Sequence, residues 1–410
     1  MDKKKLIDAA KEAAYRTNFF VVDKAKFVPP LWPQPKLVSG AGSSKKTPSV
    51  LRDAGITNVL VVTGSGSSKK LAEPVIEEIR KAGMGCAHYD KVEANPSLET
   101  AEQIARLYRE ASCNGFLAIG GGSPIDATKA AAVRIARPNT PLEKIAGVMR
   151  VIVPVPPIVA MPTTAGTGSE CSYVAVITDH HREIKIAITD QHLTPKAAIL
   201  DPVLTVGMPP FLTATTGVDA LTHAIESYVS AYYRTDFTIR CAEEAVVKIF
   251  RNLETAYKDG TNIEARSQML EASYKAGLAF TRTGVGNVHA IAHALGGKYG
   301  IAHGLANSVI LPIVLEDYGS VVYTRLAHLA ELTGVMSEGT EKQKATAFIA
   351  AIRALNQRMG LPTGLADIKP QDFDRIARTA VREATHTYPT PVIYTVERCK
   401  HVLNRILLEA

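Results

Sequence analysis

No apolar run in this chain of 410 residues is long enough to cross a bilayer as a helix, so no membrane association is expected. Cysteine is sparse and unpatterned. Cys86, Cys113, Cys171, Cys241 and Cys399 are odd in number and form no CxxC pair, which excludes a disulfide framework and zinc-finger spacing and points to reduced, mostly buried thiols. Aromatic residues make up 6% of the chain, and the formal charge of +7 comes from scattered Lys and Arg. A nucleic-acid protein needs a concentrated basic stripe with interleaved aromatics, so no nucleic-acid partner is expected. The N-terminal stretch carries Asp2, Asp8 and Glu12 and lacks a continuous apolar segment, so it does not read as a secretory signal, and a cytoplasmic protein is expected.

What is present is an ordinary globular composition, 46% apolar and 21% charged. Single cores stop growing near ~250–300 residues, so two domains are expected. From Asn58 to Leu200, short β-rich runs alternate with helical patterns, as in a parallel sheet covered by helices. NVLVVTG (58–64) and GFLAIGGG (115–122) read as strands meeting glycine, and 69–82 and 98–112 as amphipathic helices. VAVITD and IKIAIT read as a hairpin, and KAAILD (196–201) as a further strand. After Asp201 strand signals fade and long Ala-, Leu- and Glu-rich periodic stretches follow Pro209 and Pro210. The expected organisation is a helical arm over 1–33, an α/β dinucleotide-binding domain over 34–203 and an all-α domain over 204–410.

Two glycine-rich loops stand out. GGGSPIDATKA (120–130) lies between a buried strand and a helix start, where glycine permits close backbone approach and free N–H groups attract a phosphate. PTTAGTGSE (162–170) places the hydroxyls of Thr163, Thr164, Thr167 and Ser169 around two glycines after a second strand. Neither matches a Walker A sequence. GSGSSK (64–69) lacks the third glycine of GxGxxG, so a standard Rossmann fingerprint is not indicated.

A third feature points to a metal. GVDALTHAIESY sets Asp219 and His223 four residues apart on one helix face, and HAIAHALGGKYGIAHG does the same for His289 and His293, with His303 following. The glycines at 296–297 are expected to end that helix and leave His303 on the return turn. One carboxylate with neutral imidazoles suits Fe²⁺ or Zn²⁺ better than the oxygen-loving Mg²⁺ or Ca²⁺. Spacing alone leaves open which histidine stays unligated; that one is placed to exchange protons beside the metal.

Taken together, GGGSPIDATKA, MPTTAGTGSE, LDPVLTVGMPP, GVDALTHAIESY and HAIAHALGGKYGIAHGLANSVILP resemble the iron-containing, group III alcohol dehydrogenases, from about residue 35 to the C-terminus. The resemblance implies a dehydroquinate synthase-like architecture: an α/β dinucleotide-binding domain, an all-α metal-binding domain, and a metal and substrate cleft between them. It assigns Asp219, His223, His289 and His303 as ligands of Fe²⁺, or of Zn²⁺, and His293 as the unligated catalytic histidine. Gly121, Gly122 and Ser123 would hold the pyrophosphate, Asp126, Thr163, Thr164, Thr167 and Ser169 would lie along the cofactor, and Lys185 matches a cofactor-side lysine. The implied reaction is hydride transfer between NAD or NADP and a small alcohol or aldehyde, in a homodimer or higher homo-oligomer.

Many family members carry Asp where this chain has Gly64; that carboxylate would bond the ribose 2′-OH of NAD and repel the 2′-phosphate of NADP. Gly64, Ser65, Gly66, Ser67, Ser68 and Lys69 instead offer N–H groups, hydroxyls and an ammonium, which leads us to expect NADP, as in the NADPH-dependent aldehyde reductase branch. Two other readings compete. A sugar-phosphate cyclase would need several basic residues near the metal, and the segments concerned offer only Lys298 and nearby Arg282. A non-catalytic scaffold would retain neither metal nor turnover.

Overall fold

The structure is a computed structural model that describes residues 14–16, 32–180, 182, 184–366 and 368–407. The expected N-terminal arm lies outside the described residues apart from 14–16, which are helical, and 32–33. The chain divides into two compact units.

The first unit spans Trp32–Pro209 and takes in Lys258–Gly277. Its strands are β1 (Lys36–Ser39), β2 (Asn58–Gly64), β3 (Gly85–Val92), β4 (Gly115–Gly120), β6 (Ile158–Pro162) and β9 (Ala197–Leu200), forming one sheet in the order β1-β9-β6-β4-β2-β3. Every pairing in it is parallel. The helices α1 (Thr47–Asp53), α2 (Ser67–Lys81), α3 (Leu98–Glu110) and α4 (Gly122–Ala136) make the crossovers that parallel strands require. Strand β2 shows why its sequence is an unbroken apolar run: Val59 and Val61 enter a core with Val75, Ile76 and Ile79 of α2, while Leu60 and Val62 enter another with Ile104 of α3 and Ala127 of α4. Both faces are covered, so alternation with polar residues would be costly. Each such side chain contributes about 1.5–3 kcal/mol when fully buried.

The expected hairpin forms, with β7 (Val174–Asp179) antiparallel to β8 (Ile184–Thr189), but it belongs to a separate three-stranded sheet completed by the two-residue β5 (Gly147–Val148). A strand that short carries no readable periodicity.

The second unit comprises Pro210–Tyr257 and Leu278–Ala410, together with the N-terminal residues. Its principal helices are α6 (Pro210–Val229), α7 (Asp236–Lys258), the C-terminal end of α8 (Ile263–Thr283), α9 (Asn287–Tyr299), α10 (His303–Tyr318), α11 (Tyr323–Thr333), α12 (Glu341–Arg358), α13 (Phe373–Thr387) and α14 (Val396–Ile406). The short α5 (Leu142–Ile145) precedes β5 in the first unit. Among the described residues, no strand of either sheet lies beyond Leu200. Proline opens α6 at a position where its missing N–H costs nothing.

Two sequence expectations need correction. Most of α8 belongs with the first unit, so the helical half is not one continuous stretch. The glycines at 296–297 do not stop α9, which runs to Tyr299; Gly300, with φ 69°, adopts the left-handed conformation that ends it. Glycine inside a helix costs only about 1 kcal/mol, whereas a left-handed residue past the last turn closes the orphan carbonyls.

Candidate functional site

In the second unit, α6 presents Asp219, His223 and Glu226 at the spacing that stacks side chains on one face. Helix α9 brings His289, and His303 is the first residue of α10, with Asn307 one turn on. One ligand atom each from Asp219, His289 and His303 lies within 4.8 Å of the other two. Asn307 Nδ2 donates to Asp219 Oδ1 at 2.7 Å and stands 3.4 Å from His289 Nε2 and 3.2 Å from His303 Nε2. Asn307 Oδ1 is buried and has no hydrogen-bond partner among the described residues. A carboxylate and two imidazoles converging in a buried place fit a divalent transition ion. His223 is close by, with its charge acting on Asp219 and its ring stacked at 4.4 Å on His289 and at 4.4 Å on Phe280.

Burial alone would push the Asp219 carboxyl up, but the charges of His223 and His303 and the hydrogen bond with His289 overcome it and hold the group well below the usual carboxylate range. The carboxylate is thus ionised. Glu226, 3% exposed, accepts from Gly286 N at 2.9 Å, Val288 N at 2.8 Å and His289 Nδ1 at 2.6 Å. With Nδ1 as the donor, the lone pair falls to Nε2, which faces Asp219 and Asn307. Removing the carboxylate's charge as Glu226→Gln puts an NH₂ against one of these donors, and we expect about 10–100-fold weaker metal binding. Chelator competition measures it; unchanged affinity would reduce Glu226 to a packing group.

His293, the second histidine of α9, stacks on His303 at 5.1 Å between centroids, and its Nδ1 lies 2.7 Å from Glu383 Oε1 of α13. The Tyr388 hydroxyl donates to the same oxygen at 2.7 Å. Sequence reading missed Glu226, Asn307 and Glu383. The first two share a helix face with Asp219 and His303, a signal that was there to use; Glu383 gave none.

In the first unit, β2, β4 and β6 are neighbours, so the loops leaving their C-terminal ends meet, which is where open α/β sheets bind ligands. Gly120 is in register with Pro162, and Gly121 and Gly122 open α4 directly against the threonine loop. A Cβ on Gly122 would stand 2.8 Å from Thr167 Cγ2, and one on Gly121 would stand 3.1 Å from Thr164 Oγ1. Only glycine lets the two loops close in this way. Ser123 follows in the first turn of α4, and Thr163 N bonds Gly120 O at 2.9 Å. Asp126 has its oxygens engaged by Ser169 Oγ and, at 3.1 Å, by Val176 N, so it braces the loop from behind. Lys129, wholly buried, reaches Ser169 O at 2.7 Å, Ser172 O at 2.8 Å and Val174 O at 2.8 Å, with both serine hydroxyls within 3.2 Å. Burial lowers its pKa to about 8. Lys185 lies on β8, opposite Thr178.

Around Gly64, Ser68 Oγ accepts from Gly64 N at 3.0 Å, and Gly66 precedes α2 without a side-chain cap. Ser65 lies between those glycines, and Ser67 opens α2. Lys69 is ion-paired with Asp90 at 2.5 Å.

Residues 33–202 match the family described as iron-containing alcohol dehydrogenase, and 213–407 match the C-terminal part of the Fe-containing alcohol dehydrogenase family. The NAD-dependent methanol dehydrogenase of Bacillus methanolicus is 36% identical over 395 residues, covering 95% of this chain and 100% of that protein. Among solved structures, a 1,3-propanediol oxidoreductase superposes with a TM-score of 0.88 at 33% identity, covering 92% of this chain and 99% of that one. The sulfoacetaldehyde reductase of Bifidobacterium kashiwanohense, solved with NAD⁺, gives 0.81 at 29% identity, covering 92% and 98%. The chain belongs to the iron-containing alcohol dehydrogenase family and is an NAD(P)-dependent alcohol dehydrogenase.

Proposed function

We propose that this enzyme interconverts a small primary or secondary alcohol and its aldehyde or ketone, with NADP(H) the favoured cofactor. The observation that carries the reaction class is the convergence of Asp219, His289 and His303 at one buried place with His293 stacked beside it. The ligands are assigned to Asp219, His289 and His303, with His223 as the fourth. When bound, the metal supplies Lewis acidity toward the substrate oxygen and the nicotinamide carries the hydride. Asp219 stays ionised to hold the ion, Glu226 fixes the ligating tautomer of His289, and His293 takes or returns the alcohol's proton. In the first unit, Gly121, Gly122 and Ser123 present backbone N–H groups to the pyrophosphate, and the loop 163–169 lies alongside. Small-alcohol names among the relatives support the substrate class. Metal analysis of anaerobically purified protein, coupled to an alcohol and aldehyde panel, tests the reading: stoichiometric Fe²⁺ or Zn²⁺ with turnover is expected, and neither appearing would sink it.

Support for NADP(H) is the missing carboxylate at Gly64 and the uncapped start of α2. Lys69 would have to leave Asp90 to meet a 2′-phosphate, which limits the preference. At Gly64 a Cβ would stand 3.1 Å from Val92 O and 3.3 Å from Ser68 Oγ, so Gly64→Asp requires Ser68 to rotate and the Val92 carbonyl on β3 to give by a few tenths of an ångström. That variant is expected to move kcat/KM toward NAD(H) by about tenfold, a ratio equal to ~1.4 kcal/mol. Steady-state kinetics with both cofactors on one good aldehyde measures it; a tenfold preference for NADH in the unmodified enzyme overturns the assignment.

A further inference from the structure

We infer that Glu383 is a positioning residue for the reaction: with Tyr388 it holds His293 in the tautomer whose Nε2 is the basic nitrogen. The inference rests on the proton-transfer role proposed for His293. It starts from a symmetry in α9. His289 and His293 sit one turn apart, and each has its Nδ1 on a carboxylate from another helix, Glu226 of α6 at 2.6 Å and Glu383 of α13 at 2.7 Å. The two carboxylates differ in everything else. Glu226 is buried and locked by two backbone N–H groups, as suits a ligand that must not move. The Glu383 side chain is 28% exposed, and its recorded partners are His293 and the Tyr388 hydroxyl.

An ionised carboxylate only accepts hydrogen bonds. The His293 charge and hydrogen bond and the Tyr388 hydroxyl outweigh burial and keep Glu383 below the ordinary range, so it is ionised. His293 Nδ1 therefore carries the N–H, and the lone pair falls to Nε2. A histidine without this anchor would divide between tautomers and rotate about its side-chain bonds, and the wrong tautomer offers a donor where a base is needed.

Glu383→Ala tests the inference, with His293→Ala, the double variant and Glu383→Asp beside it. The expected result for Glu383→Ala is a kcat at least about tenfold lower, within the roughly 10²–10⁴-fold that a general acid–base group contributes, with substrate KM and metal content unchanged. Glu383→Asp should recover much of the rate. Added formate should restore part of kcat in Glu383→Ala and none in His293→Ala, a readout that a merely structural role would not move. The double variant should be no slower than His293→Ala, since the two residues act as a unit. A Glu383→Ala enzyme at parental kcat beside a slow His293→Ala would overturn the inference alone, and so would losses that multiply in the double variant or an absence of formate rescue. Parental kcat in His293→Ala would overturn the role of His293 and this inference with it.

Discussion

Replacing His303 by Ala is expected to yield protein that purifies without its metal and shows no measurable turnover, while still binding nicotinamide cofactor. His303 Nε2 lies 3.4 Å from Asp219 Oδ1, and the ring supplies one of the three atoms that define the convergent group. Its loss leaves Asp219, His289 and the proposed fourth ligand His223, one short of the proposed set and open on the α10 side. Folding should survive. His303 is the first residue of α10 and 26% exposed at the side chain, and alanine is a strong helix former with no cap to lose there. The glycine-rich loops at 120–123 and 162–170 belong to the first unit. Elemental analysis after anaerobic purification, with cofactor fluorescence as the control, gives the answer; undiminished metal would remove His303 from the ligand set.

Substituting His293 by Ala should have the opposite signature, with metal retained and kcat lowered by roughly 10²–10⁴-fold, the usual contribution of a positioned acid–base group. The residue is not in the convergent group, and its Nδ1 is occupied by Glu383, so the side chain is held beside the site without belonging to it. Activity near the site should therefore suffer without loss of the ion. An effect confined to KM would show that the ring binds substrate and transition state equally, and loss of metal would mean that the wrong histidine of α9 has been assigned.

The parts of this molecule legible in its sequence are those encoded over a few residues. Asp219 and His223, and His289 and His293, could be placed on common faces because an α-helix repeats every 3.6 residues, whatever surrounds it. The strand 58–64 was legible because burial on both faces leaves an unbroken apolar run. What depended on tertiary pairing was not. Glu383 meets His293 across ninety residues of chain, and no local pattern around ATHTYP announces a histidine's partner. The closure of Gly122 on Thr167 follows from β4 and β6 being neighbours, a fact of strand order rather than of either loop. The side chains that converge in the second unit were thus legible, and the carboxylates Glu226 and Glu383 beside them were not, because such a group needs only to arrive from somewhere.

Lys129 offers a way to watch the loop at 169–174 in solution. Its amine has no exposed surface and five oxygen atoms of residues 169–174 around it, so acylating or glycating reagents meet it only when that stretch parts from α4. Since regions of a native protein open with their own free energies, the rate at which this one lysine gains a chemical tag becomes a clock for the opening of the loop, and the mass of a single peptide reads it.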